Sequence, residues 1–299
     1  LAQKGGLSDA LPDTSGRQSG YYHVYEHGVL VLSDTETADS LRAAIQKKKA
    51  RAGKSWAVLS LLTMPPSAEL APLSERPQEL TFAKESTGFG SVFSDKFLAR
   101  QRGLLRRVIG DLPGLTGVVL DISYPDSRLY AFSGTSRQAY IAKAGIDPLD
   151  LVGPRVLDSG VPSAPKEEIE ALKEFLAWRE ARVLAFAREC VQIVRESGLE
   201  CGLLLDLLRY QQPLSRQRSS AQPWAEWLKE LPDCRAVFSM YLLTSEKMPL
   251  AQEALRAIQT MNFKRPPAYL LGAYLSAEER EALGRALSKG NAEIIEVRR

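Results

Sequence analysis

From about residue 54 onward the hydrophobic pattern switches repeatedly between two periods. Trp56-Ala-Val-Leu-Ser-Leu-Leu62 is a nearly continuous apolar run, as expected of a parallel strand covered on both faces. The segment from Leu98 places Leu98, Leu105 and Ile109 on one helical stripe and breaks at Pro113-Gly114. Gly117-Val-Val-Leu-Asp121 reads as the next strand. The helix 165–197 follows, with Ile169, Leu172, Leu176, Val183, Phe186, Cys190 and Ile193 at helical spacing and Pro165 suited to its first turn. Then come strand Cys201-Gly-Leu-Leu-Leu-Asp206, helix 224–230, strand Ala236-Val-Phe-Ser-Met-Tyr241, helix 250–259, strand 268–273, helix 277–289 and strand 292–297.

Six strands in strict alternation with helices predict a parallel sheet. At 299 residues its commonest closed form is an α/β barrel of the TIM type. Six is two short of the eight such a barrel needs. Residues 1–33 therefore read as loop or as a degenerate or truncated N-terminal barrel segment, and 34–299 as the barrel itself. Within residues 1–33, 1–20 are rich in Gly, Ser and Asp without a period, and Val29-Leu-Val-Leu32 is a short apolar run. Ser33-Asp34-Thr35 is a cap cluster for a helix carrying Ala38, Leu41 and Ile45. Two stretches, Thr63 to about Ser94 and the segment after Asp121, read as long excursions. The chain opens on Leu1 rather than Met, and a lost N-terminus is the expectation.

Composition narrows the function classes. Hydrophobic residues make up 44% and charged residues 25%, ordinary values for a globular chain with a large core. Net charge is +3, and the one dense basic run, Lys47–Arg51, reads as a solvated helix end rather than a nucleic-acid footprint. No apolar run reaches the roughly 18 residues of a membrane span. The two histidines, His23 and His27, lie in a stretch of strand formers ending at Gly28, which favours a surface or hairpin role over a metal site. A histidine-dependent triad elsewhere lacks its base. Cys190, Cys201 and Cys234 lack metal-ligand spacing and read as buried free thiols. There is no phosphate-cradling glycine loop, Walker motif or nucleophile elbow, and no cofactor or metal is called for.

In parallel α/β folds ligands bind beyond the carboxyl ends of the strands. Two apolar strands end alike, at Asp121 and Asp206. Burying an unpaired carboxylate costs several kcal/mol, so each either reaches the barrel mouth or pairs with a cation such as Arg128 or Arg209. Carboxylates on neighbouring strand ends fall roughly 5 to 9 Å apart, the range that glycosidases use. Glu246, just beyond Met240-Tyr241, is a further candidate partner. Tyr124, Tyr130, Tyr241 and Tyr274 fall at or after strand ends, where rings stack on sugar faces or plug the barrel end. Trp178, Trp224 and Trp227 lie in helices and read as packing against the sheet.

These residues form blocks with a specific likeness. Leu115-Thr-Gly-Val-Val-Leu-Asp-Ile-Ser-Tyr-Pro125, Ser136-Arg-Gln-Ala-Tyr140, Gly145-Ile-Asp-Pro-Leu-Asp-Leu151, Trp178-Arg179 and Gln222-Pro-Trp-Ala-Glu-Trp-Leu228 occur in order. Together with Met240-Tyr241 they resemble the bacterial glycosyl hydrolase-like barrel family, across about residues 35–299. The resemblance makes 56–62 the third strand of the barrel and 292–297 the eighth. It implies glycoside hydrolysis of a polysaccharide, with Asp121 the main carboxylate, Asp206 or Glu246 its partner, and Tyr124, Arg209, Tyr241 and Tyr274 as substrate contacts. It also implies an extracytoplasmic setting. The block around Asp121 is one residue shorter than the family's and lacks its tyrosine and arginine. A catalytically degenerate barrel that binds carbohydrate in an envelope role is therefore the alternative, and an unrelated barrel enzyme a third.

Overall fold

The computed structural model describes residues 23–26, 28–30, 46, 54–62, 78–80, 86–122, 131–151, 166–206, 224–240, 248–261, 263–271, 276–288 and 293–298. Among these the strands are β1 (His23–Glu26), β2 (Gly28–Leu30), β3 (Ser55–Ser60), β4 (Gln78–Leu80), β5 (Ser86–Gly90), β6 (Gly117–Asp121), β7 (Glu200–Asp206), β8 (Arg235–Met240), β9 (Ala268–Leu271) and β10 (Glu293–Arg298). The helices are α1 (Asp95–Asp111), α2 (Gly134–Ala144), α3 (Pro148–Leu151), α4 (Lys166–Glu196), α5 (Trp224–Glu230), α6 (Met248–Gln259) and α7 (Ala277–Ser288).

The fold is mixed α/β around a curled parallel sheet. Strands β3, β6, β7, β8, β9 and β10 pair in that order, each parallel to the next. All six strands read from the apolar runs are present, shifted by at most two residues at their ends. The hairpin β1–β2 joins the two sides of this sheet. β2 runs parallel to β10, while β1 runs antiparallel to both β2 and β3, so the strands form a closed ring. The hairpin reading of the His23–Gly28 stretch agrees with that pairing, and β1 and β2 fill the gap left between the first and last strands of the alternation.

Two stretches read as long excursions contain structure. β4 and β5 pair antiparallel as a separate two-stranded sheet. After Asp121, α2 and α3 form where no helix was expected. Only Ser136 and Tyr140 of α2 are buried, so its sequence carries almost no apolar stripe. Its ends are nevertheless marked: Ser133 caps the start by accepting from the Ser136 N–H, and Gly145 ends it in the left-handed region at φ 72°. The helix read over 38–45 and the apolar run 29–32 lie largely outside the described residues.

The alternation of side chains divides the sheet into two apolar faces. Trp56, Val58, Val119, Leu204, Val237, Ala268 and Leu270 form one cluster on the inner face. Ala57, Leu59, Val118, Leu120, Cys201, Leu203, Leu205, Ala236, Phe238 and Tyr269 face outward, under α1, α4, α5, α6 and α7. The period of two explains why the strands read as continuous apolar runs: both faces are covered. Trp227 of α5 is fully buried in the outer layer, packing against the sheet as expected of it. α1 begins at an N-cap, Ser94, whose hydroxyl accepts from the Phe97 N–H at 3.3 Å. It lies along α4, tied by ion pairs Arg102–Glu189 and Arg182–Asp95.

The inner face is tightly filled at its amino-terminal end. A Cβ built on Gly117 would lie 2.3 Å from Trp56 Cζ3, and one on Gly202 would lie 2.8 Å from Val237 Cγ2. The glycines are therefore the space into which a ring and a branched chain pack. Trp56 occupies the floor beside Gly117, and the carboxyl edge of the strands is the opposite end of the inner face.

Candidate functional site

That carboxyl edge is built from strand ends that turn polar. Ser60 ends β3 and Asp121 ends β6, and the two are register partners. Both share the alternation of Trp56, Val58 and Val119, so both belong to the inner face. The Ser60 hydroxyl donates to Asp121 Oδ2 at 2.7 Å, and both residues are half-buried. The ladder continues one step past the strand end, with the Leu61 N–H donating to the Asp121 carbonyl at 3.0 Å. The backbone that carries the carboxylate is thus held on its β3 side.

Asp206 ends the neighbouring strand, β7, and is the register partner of Ser239 on β8. It falls on the same alternation as Leu204, an inner-face residue. Leu120 pairs with Leu203, which sets Asp206 two positions further along than Asp121. With strands about 4.8 Å apart and about 3.3 Å per residue, the two Cα atoms are about 8 Å apart. The edge therefore carries the Ser60–Asp121 pair across β3 and β6, with the backbone of Asp206 about 8 Å away on β7; the Asp206 side chain lies outside the described residues.

The segments after β3 and β6 are fastened beside this edge. The Gly90 N–H donates to the Leu62 carbonyl at 2.8 Å, bringing the end of β5 against the end of β3. Ser91, next in the chain, is fully buried and its hydroxyl lies 2.9 Å from that of Ser136, which lies 2.9 Å from that of Ser133. Three hydroxyls in a row each satisfy another, as buried polar groups must. Above them Phe93, Phe132, Tyr140, Phe175 and Trp178 form an aromatic cluster, with Phe93 and Trp178 stacked at 4.2 Å between centroids. Trp178 thus packs in this cluster rather than flat on the sheet. Burial, and secondarily Glu174, push the Tyr140 hydroxyl above its ordinary value. Arg179, beside Trp178, is completely buried.

The block 136–151 serves the fold. Arg137 makes a two-point ion pair with Asp147, donating from Nε to Oδ1 at 3.0 Å and from a terminal nitrogen to Oδ2. The same Asp147 accepts from the Leu149 N–H at 3.0 Å, capping α3. The Arg137 hydrogen bond holds the Asp147 carboxyl below its ordinary value, against the opposing effect of its burial.

Of the residues singled out from sequence, Asp121 and Asp206 are brought to one edge on adjacent strands. Glu246, Tyr124, Arg209, Tyr241 and Tyr274 lie outside the described residues, as do Arg128 and Tyr130. Sequence reading missed Ser60 and Ser239, although each is the polar residue ending or interrupting an apolar run on the inner alternation. The Ser91–Ser136 link had no signal, because 45 residues separate the two, while Ser133 and Ser136 lie three apart at the start of α2. Among the described residues no group of three His, Cys, Asp or Glu is arranged to hold a metal, and no helix is long and apolar enough to cross a membrane.

A scan against protein-family models gives no match to this chain, and a search of curated proteins gives none either.

Proposed function

We propose that the chain is a TIM-type (β/α) barrel of the glycosyl hydrolase-like kind that cleaves the glycosidic bonds of a polysaccharide with paired carboxylates, Asp121 and Asp206. The observation that carries this reading is the pair of aspartates ending adjacent parallel strands on the inner alternation, with Asp121 anchored by Ser60. The carboxyl edge is where parallel α/β folds assemble their chemistry. Aspartates ending adjacent strands with Cα atoms about 8 Å apart can bring their carboxyl groups into the roughly 5 to 9.5 Å range that flanks a glycosidic bond.

The roles follow from the surroundings. A hydroxyl donating to a carboxylate orients it, so Asp121, held by Ser60, is assigned as nucleophile or as base toward water, and Asp206 as the acid that protonates the leaving oxygen. Glu246 is the reserve candidate for the acid. Tyr124, Tyr241 and Tyr274 are assigned to sugar stacking and Arg209 to substrate hydrogen bonding. No cofactor or metal is required, and the setting implied is extracytoplasmic.

The test is hydrolysis of a panel of bacterial polysaccharides by the full chain beside Asp121→Asn, Asp206→Asn and Ser60→Ala. Each aspartate variant is expected to lose at least about a hundredfold in turnover, the order of a general acid or base contribution. Ser60→Ala should lose less, because it removes one hydrogen bond and not the carboxylate. Glycan binding without turnover, equal in all four proteins, would refute the hydrolase and leave a carbohydrate-binding barrel.

A further inference from the structure

The hydrogen bond between Ser60 and Asp121 follows from their places on the sheet. They are register partners that end adjacent parallel strands, both on the inner alternation. Register partners project to the same face about 4.8 Å apart, a gap that a serine hydroxyl and a carboxylate close, here at 2.7 Å. The same pair of residue types recurs in register on the next two strands of the ring. Asp206 of β7 is the register partner of Ser239 of β8, and Ser239 falls on the inner alternation after Val237.

Ser239 is a hydroxyl in an apolar strand. From Ala236 to Met240 it is the one polar residue, and its neighbours Phe238 and Met240 are buried. Its register partner on the other side is Leu270 of β9, fully buried in the inner-face cluster together with Val237. A leucine side chain offers no acceptor, so of the two residues flanking Ser239 in register only Asp206 carries one. Ser239 is half-buried, which sets it at the edge and not in the packed floor. The two serines also stand on opposite flanks. In the ring β6 and β7 are adjacent, with β3 beyond β6 and β8 beyond β7, so the strands that end in aspartate lie between the two that carry the hydroxyls.

We propose that Ser239 is the positioning residue of Asp206, its hydroxyl donating to the carboxyl group as that of Ser60 donates to Asp121. The proposal rests on the reading of Asp206 as the acid of the hydrolase and says how that acid is aimed. An aspartate at a strand end turns about two side-chain bonds, and a hydrogen bond from the neighbouring strand selects one rotamer. Ser239 donates to one carboxyl oxygen, which leaves the proton on the other for the leaving oxygen of the substrate. Each carboxyl is then held from the flank away from the other.

The test follows the Asp206 carboxyl of the full chain by carbon NMR of labelled aspartate, in wild type, Ser239→Ala and Ser239→Thr. Its signal is assigned by its disappearance in Asp206→Asn. A hydroxyl donating to a carboxyl favours the ionised form, so Ser239→Ala should raise the Asp206 titration midpoint and Ser239→Thr should restore it. Asp121, the other carboxylate on the edge, is present in all three proteins, and its own midpoint should move less. In turnover, Ser239→Ala should lower kcat about tenfold, the effect of one hydrogen bond, with KM little changed. The basic limb of its pH profile should move up with the NMR midpoint. If Ser239→Ala does not fold, Ser239→Cys, a weaker donor, is read in the same way. An Asp206 midpoint equal to that of wild type overturns the inference, even in a chain that hydrolyses glycan. A midpoint that moves in a chain that hydrolyses none overturns the hydrolase reading and leaves the Ser239–Asp206 pair standing.

Discussion

Replacing Gly117 by alanine tests whether the floor of the inner face is filled as described. The added Cβ would stand 2.3 and 2.7 Å from Trp56 Cζ3 and Cε3, and 2.6 Å from the Glu200 carbonyl oxygen. Ordinary contact begins at about 3.4 Å, so something must move by close to an ångström. The indole has nowhere to go, being 1% exposed and packed with Val58 and Val119. The carbonyl belongs to β7, whose Glu200 N–H is bonded to Thr116 O at 3.1 Å. Overpacking costs about 1 to 3 kcal/mol, and a backbone obstacle puts this case near the upper end. About 3 kcal/mol corresponds to a fall in Tm of roughly 6 to 12 °C for a large domain. Gly103 is the internal comparison. It sits exposed in α1 with nothing within 4 Å of its would-be Cβ, so alanine there should stabilise by about 1 kcal/mol through helix propensity. Urea and thermal unfolding of both variants should move in opposite directions, and Trp56→Leu added to Gly117→Ala should recover part of the loss. A Gly117→Ala protein that unfolds at the wild-type midpoint would refute the packing of Trp56 against β6.

Two further perturbations probe the elements beside the candidate site. Asp147→Asn should destabilise by up to about 1 kcal/mol at neutral pH, through loss of a partly exposed ion pair, while the amide oxygen still accepts from the Leu149 N–H as the α3 cap. The folded carboxyl is held below its ordinary value of 3.8 chiefly by the Arg137 hydrogen bond. Its contribution is therefore present above that value and lost as pH falls through the lower folded one. Wild type and variant should converge in urea midpoint under strongly acidic conditions, and a gap that persists there would contradict the assignment. Phe175→Ala should cost about 3 to 5 kcal/mol, since Phe175 is 1% exposed and touches Phe132, Tyr140 and Trp178. Near-ultraviolet circular dichroism should report loosening of that cluster, and an unchanged spectrum with unchanged stability would contradict it.

The alternation of apolar runs and helical stripes was sufficient to identify six parallel strands and the helices α1 and α4 to α7. That success has a direct cause. A strand buried on both faces cannot carry polar residues in its middle, and a covering helix must keep one apolar stripe, so burial writes itself into local sequence. The same logic picked out Asp121 and Asp206, because a carboxylate ending such a strand departs from the pattern. Helix α2 escaped, since only Ser136 and Tyr140 are buried and its stability rests on caps and on the Arg137–Asp147 pair. The pairing of β1 with β3 was also beyond local reading, because backbone partners separated by a long stretch leave no periodic trace. The Ser60–Asp121 hydrogen bond spans 61 residues, and the register of β7 and β8 sets Gly202 beside Arg235. Which residues are buried is a property of each segment and is legible in it. Which of them meet depends on strand order and register, and those exist only once the chain has closed on itself.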